Sequence, residues 1–193
     1  MASSKTCFVT IGATASFAAL IKAVLSPRFL TALKEQRYDE LLVQYGQDGK
    51  ELFETAVKGV QSVGGIKIHG FGIDENGLGR YMRQARGKDG QEGVVVAHAG
   101  SGTILEALRI QVPLIVVPNS DLLDNHQVEL AEALSEQEYV VHGHLDNLPK
   151  ALQDAEQLRT RQKQWPPPNS GVHRQSKSQG LKGVLDEEMG FLD

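Results

Sequence analysis

The sequence predicts an α/β fold: a doubly wound, mainly parallel sheet with helices on both faces, followed by a C-terminal tail. Three observations predict it. Short apolar, β-branched runs alternate with segments of helical spacing along most of the chain. The connections between them are short. Runs such as "VVVA" and "LIVV" are apolar at consecutive positions, as strands buried on both faces are.

The elements follow in order. "TCFVTI", residues 6–11, is an apolar run that stops at Gly12 and reads as the first strand. "SFAALIKAVLS" places Phe17, Leu20, Ile21, Val24 and Leu25 at helical spacing; Pro27 either ends this helix or opens a second short one through Leu33. "ELLVQYG" is the second strand. "GKELFETAVKGV" is ambiguous and is assigned as a short helix. "GIKIHGFG", residues 65–72, is the third strand, and "ENGLGRYMRQAR" is a modest helix weakened by Gly77 and Gly79. A polar glycine loop, residues 87–93, leads to the strand "VVVAH" and the helix "GTILEALRI". "PLIVVP" is the fifth strand, "LLDNHQVELAEALSE" a helix and "EYVVHG" the sixth strand. A last helix runs through "LDNLPKALQDAEQLRTRQKQ", with Asp146 or Asn147 as its expected cap. The result is a Rossmann-like domain over residues 5–163. The remainder, 164–193, carries "WPPP", a run of cations with no acid from Gln157 to Leu185, and a mixed acidic and apolar end, "VLDEEMGFLD". It reads as a linker followed by a segment for docking on a partner, or as a disordered terminus.

Composition narrows the classes. The net charge of -4 gives no global attraction to nucleic acid. The single cysteine, Cys7, excludes an internal disulfide and sits in a strand as a small packed hydrophobe. No run approaches the roughly 18 apolar residues of a membrane span, so no transmembrane segment is expected.

In such folds ligands bind at the carboxyl ends of the strands. The first loop there is "GATAS", in which Gly12 permits close backbone approach and Thr14 and Ser16 offer hydroxyls; Ser16 could also cap the helix. It lacks the G-x-G-x-x-G dinucleotide spacing. The second is "HAGSGTILE". Gly100 and Gly102 let backbone amides crowd an anion, Ser101 and Thr103 add donors at a helix N-terminus, and the dipole favours negative charge there. Glu106, one turn on, either receives a ribose diol or merely complements the dipole. His98 is a loop anchor or a ligand contact. The third is "PNSDLLDNHQ". Asn119, Asn125, His126 and Gln127 suit sugar hydroxyls and an N-acetyl group, while Asp121 or Asp124 could cap the helix. No histidine or carboxylate stands beside His126 at metal-ligand spacing, so no metal is expected.

Taken together, "FVTIGATASFAALI", "VVVAHAGSGTILEAL", "PLIVVPN" and "DNHQVELAEAL" resemble the nucleotide-sugar-binding half of GT-B glycosyltransferases. More closely, they resemble the soluble catalytic subunits of the two-chain UDP-N-acetylglucosamine transferases of the dolichol pathway, over about residues 7–152. The resemblance implies transfer of N-acetylglucosamine from UDP-N-acetylglucosamine to N-acetylglucosaminyl-diphosphodolichol, in an inverting β1,4 step of N-glycan assembly. It implies no cofactor beyond this donor. It implies a membrane-anchored, acceptor-binding partner subunit at the cytoplasmic face of the endoplasmic reticulum, with a free cytosolic pool as the other location. Gly12 to Ser16 and His98 to Thr103 would face the diphosphate, Glu106 the ribose, and Asn119, Asn125, His126 and Gln127 the transferred sugar. Ala13 and Ala97 depart from a threonine and a serine common in the family. The acceptor hydroxyl needs a base; His126 is the group offered here, and the partner is the other source. Two rivals remain: a non-catalytic nucleotide-sugar-binding regulatory subunit, and an NAD-dependent oxidoreductase. The absent fingerprint and the absence of an acid in "VQYG" count against the second.

Overall fold

A computed structural model describes residues 4–13, 16–60, 65–88, 91–119 and 126–163. They form strands β1 (Thr6–Thr10), β2 (Glu40–Gln44), β3 (Lys67–Phe71), β4 (Val94–His98), β5 (Leu114–Val117) and β6 (Val141–His142). The helices are α1 (Ala18–Val24), α2 (Pro27–Glu35), α3 (Lys50–Val60), α4 (Gly79–Arg86), α5 (Ser101–Ile110), α6 (His126–Glu136) and α7 (Leu148–Lys163). The strands make one sheet in the order β3-β2-β1-β4-β5-β6, every pair parallel. The expected α/β class and doubly wound arrangement are therefore present.

Two cores explain why the strands read as unbroken apolar runs. Cys7, Val9, Leu41, Val43, Val94 and Val96 face one side and pack with α1, α2, α3 and α7. Phe8, Leu42, Val95, Ala97, Leu114 and Val116 face the other and pack with α4, α5 and α6. Alternate residues of one strand thus serve opposite cores. β3 is an edge strand, with β6 at the other edge, and is correspondingly more exposed than the central strands.

Local chemistry sets the boundaries. Pro27 opens α2, at the position where its missing N–H is no loss, and Ser26 accepts from Phe29 N at 3.3 Å as its cap. The ambiguous stretch after β2 is the helix α3, with Phe53 and Val60 turned inward. The sixth strand is shorter than expected. Glu138 adopts φ 59° and Tyr139 N donates to Leu134 O, so residues 138–140 close off α6 rather than extend β6. A 3-10 turn, Leu145–Asn147, leads into α7. The acid-free, cation-rich stretch that begins at Gln157 reads as tail in the sequence, but its first cation, Arg159, is a buried residue of α7. The tail 164–193 lies outside the described residues.

Order reverses between β1 and β4, whose following loops depart to opposite faces. Their carboxyl ends flank the crevice where open α/β sheets receive ligands.

Candidate functional site

The crevice is built around one imidazole. His98 is the last residue of β4, and its ring lies between the two flanking loops. A Cβ placed on Gly12 would lie 2.5 Å from His98 Cε1, and one placed on Gly100 would lie 2.2 Å from its Nε2. A side chain at either position would have to displace the ring, and Gly12 also adopts φ +80°. Burial pushes the His98 imidazole below its ordinary value, with the Thr10 backbone pulling the other way. Its Nδ1 has no hydrogen-bond partner among the described residues.

After His98 the chain turns at Gly100, which is extended at φ -83°, ψ 121°, and enters α5 with no side-chain cap. The amides of Ser101, Gly102 and Thr103 thus form an uncapped helix N-terminus beside the β1 exit. Gly102 has open space around its α-carbon.

The β1 exit is held from β2. Thr10 and Gln44 are register partners at the ends of their strands. Gln44 is only 2 % exposed. Its Oε1 accepts from Thr10 Oγ1 at 2.7 Å and from Ile11 N at 3.2 Å, and its Nε2 donates to Gly12 O at 3.0 Å. Gly12 N in turn donates to Thr10 Oγ1 at 3.2 Å. Neither Thr10 nor Gln44 was singled out by sequence reasoning. The signal was there: each is a polar residue closing an otherwise apolar run.

A small cleft opens beside this knot, lined by Gly12, Ala13, Ser16, Tyr45, Gly46 and Asp48. Ser16 does not cap α1. That helix starts at Ala18 with Phe17 before it and no side-chain cap, while Ser16 Oγ lies 3.5 Å from Asp48 Oδ2. Asp48 is a carboxylate at the β2 exit, four residues past the strand end, that the sequence reading did not count.

On the far side, Asn119 ties three segments together. It is 5 % exposed; its Nδ2 donates to Ser16 O at 3.4 Å, and its backbone N donates to Gln127 Oε1 at 3.1 Å. So Asn119 and Gln127 join the β5 exit, the first loop and α6. His126 opens α6 with its side chain 71 % exposed and Nδ1 3.5 Å from Glu129 Oε2, so, contrary to the sequence expectation, a carboxylate does stand beside it at helical spacing, one residue short of a three-ligand group among the described residues. Thr14 and Asn125 lie outside the described residues, as do Asp121 and Asp124.

Glu106 projects from α5 toward α4. Its Oε1 is 2.5 Å from where a Gly79 Cβ would be, and Arg83 Nη1 is 3.2 Å from the same point. The site residues thus gather in two groups: Gly12, Ser16, His98, Gly100, Asn119 and Gln127 around the crevice, and Glu106 one turn behind it. Among the described residues no group of three or more His, Cys, Asp or Glu side chains could hold a metal ion, and no helix is long and apolar enough to cross a membrane.

A parallel sheet of this order with a glycine-lined crevice at its switch point defines a doubly wound, Rossmann-like ligand-binding domain. MurG of Acinetobacter baumannii has the same fold, with a TM-score of 0.54 at 18% identity, over 84% of this chain and 42% of that one. Residues 6–179 match the glycosyltransferase family 28 C-terminal domain. The UDP-N-acetylglucosamine transferase subunit ALG13 of Yarrowia lipolytica is 32% identical over 95% of this chain and 84% of its own. The solution structure of an ALG13 superimposes with a TM-score of 0.60 at 28% identity, covering 83% of this chain and 87% of that one. The chain belongs to glycosyltransferase family 28, and within it to the ALG13-type transferase subunits.

Proposed function

We infer that this chain is the donor-binding, catalytic subunit of an inverting transferase. It would move N-acetylglucosamine from UDP-N-acetylglucosamine to N-acetylglucosaminyl-diphosphodolichol in a β1,4 link, the second step of lipid-linked oligosaccharide assembly. The observation that carries this reading is the His98 ring held between Gly12 and Gly100 at the β1–β4 switch point, beside the uncapped start of α5. An arrangement of that kind suits a diphosphate.

In the reaction the acceptor hydroxyl oxygen bonds to the donor anomeric carbon from the face opposite UDP. The bond from that carbon to the phosphate oxygen breaks, and the electron pair leaves with UDP. Amides of residues 101–103 and the loop at Gly12 face the charge that grows on the diphosphate, where preorganised donors contribute most. This assigns stabilisation of the leaving group to helix ends and amides rather than to a metal. Glu106 receives the ribose hydroxyls. Asn119, Asn125 and Gln127 hold the transferred sugar. The acceptor proton goes to a base, and His126 is the group this chain supplies for it. A membrane-anchored partner subunit at the cytoplasmic face of the endoplasmic reticulum would supply the acceptor half of the cleft.

The test is a transferase assay with a lipid-linked N-acetylglucosamine acceptor, run with and without membranes containing the partner, beside calorimetry of the chain with UDP-N-acetylglucosamine. Donor binding by the chain alone and turnover only with the membranes are expected. Failure of the chain to bind the donor sinks the reading. Binding without turnover in any combination would leave a regulatory subunit instead.

A further inference from the structure

The start of the glycine loop after β1 is held in part from the neighbouring strand. We propose that Gln44, on the neighbouring strand, is a positioning residue that sets the Gly12 loop for the donor diphosphate, with Thr10 as its relay. This rests on the donor-site reading above.

The geometry leaves Gln44 little else to do. Its carboxamide is buried between strand ends, and each polar atom is spent on the β1 exit: Oε1 on Thr10 Oγ1 and Ile11 N, Nε2 on Gly12 O. The orientation of the amide follows from these partners. A backbone N–H faces Oε1 and a carbonyl faces Nε2, so a flipped amide would lose both bonds to the backbone. Gly12 N is taken by Thr10 Oγ1, which Gln44 orients by accepting its proton. Both main-chain polar groups of Gly12 are thus fixed through one side chain. Gly12 needs such fixing. It sits at φ +80° with the His98 ring against its α-carbon, and a glycine has many other conformations open to it.

The last position of the second strand is where dinucleotide-binding sheets place a ribose carboxylate. Here an amide occupies it and turns inward, to the loop rather than to a ligand. A carboxylate could accept from Thr10 and Ile11 equally well, but it would set a second acceptor against Gly12 O. That single difference makes the role testable.

The experiment is calorimetric titration of the full chain with UDP-N-acetylglucosamine, whose diphosphate diester does not titrate between pH 5.5 and 8 (~). Wild type, Gln44→Glu and Thr10→Val are compared, each variant against wild type at the same pH, with circular dichroism as the control for folding. At pH 8 (~), Gln44→Glu should bind about tenfold more weakly, the loss expected when the competent loop falls to about a tenth of the population. At pH 5.5 (~), a carboxyl kept protonated by burial regains a donor for Gly12 O, and most of the loss should be recovered. Thr10→Val should also bind about tenfold more weakly, at both pH values. If Gln44→Glu does not fold, the Thr10→Val result decides alone. Wild-type affinity in Thr10→Val, or a Gln44→Glu deficit unchanged between the two pH values, overturns the positioning role. Wild type failing to bind at all overturns the donor-site reading, a separate outcome.

Discussion

His98 owes its place to two absent side chains. Any β-carbon at Gly12 or Gly100 would occupy space the imidazole now fills. The ring is consequently drawn out of water, and its pKa falls below the ordinary 6.5 because burial disfavours the imidazolium. His142 is depressed as well, by burial first and then by His144, whose ring centroid is 4.5 Å away. The sign follows from linkage. A group with a lowered folded pKa binds fewer protons folded than unfolded. Its contribution is intact above 6.5, the unfolded value, and is lost as pH falls toward and through the lowered folded value. The melting temperature should therefore drop as pH falls from neutrality to about 5. His98→Asn, which cannot titrate, should show a shallower drop, with the remaining slope due in part to His142. Thermal melts of the two proteins across this range check it. Parallel curves would mean that His98 does not experience the desolvation its position implies.

At the scale of elements, the sheet carries its polar chemistry at its ends. Thr6 pairs with Glu40 and Thr10 with Gln44 on the same face of β1 and β2, with Phe8 and Leu42 between them. The amino end is pinned by α7. Arg159 contacts Glu156, Tyr38 and the Gly93 carbonyl, while Lys5 Nζ lies 3.0 Å from Glu156 and 4.3 Å over the Tyr38 ring. Burial lowers the Lys5 pKa and raises that of Tyr38. Arg159→Ala removes the cation from a buried pair and strips Gly93 O of its side-chain donor. It should cost roughly 2–3 kcal/mol, less than a fully enclosed pair because Lys5 remains beside Glu156. A melting-temperature fall on the order of 5–10 °C is expected, read by calorimetry. A variant that melts with wild type would make the cluster a solvated surface pair. The strands, the helices and the glycine loops at the strand exits were legible in the sequence because period and glycine placement are local signals. Gln44, Asp48 and Arg159 were not. Their partners Gly12, Ser16 and Gly93 lie 32 to 66 residues away, and no window of sequence brings such pairs together. The short β6 was misjudged for a different reason: Tyr139 and Val140 have strand propensity, but the closing turn of α6 takes their backbone first.

The sheet has two ends of different character. The Gly12 and Gly100 loops, proposed above to bind the donor, leave the carboxyl ends of β1 and β4, whereas α7 runs back to the amino ends, where Arg159 meets Gly93 just before β4. A five-residue strand separates these ends by roughly 15 Å. α7 therefore ends at Lys163 on the side away from the crevice, and the sequence continues from there. It first carries prolines and cations, then Val184, Leu185, Met189, Phe191 and Leu192 among acids. Apolar residues spaced on a polar arm fit a groove on a partner better than they fit water. This separation predicts that donor binding and subunit assembly can be uncoupled. Removal of residues 184–193 should leave the affinity for UDP-N-acetylglucosamine within about twofold of the full chain, a difference of less than ~0.5 kcal/mol. The same truncation should abolish co-purification with the proposed membrane subunit and, with it, the proposed transfer to a lipid-linked acceptor. Pull-down from detergent-solubilised membranes beside calorimetry reads both quantities on one preparation. If the truncated chain still assembles, the docking surface lies on the folded domain. If instead it loses donor affinity, the tail reaches the crevice despite leaving from the opposite end of the sheet.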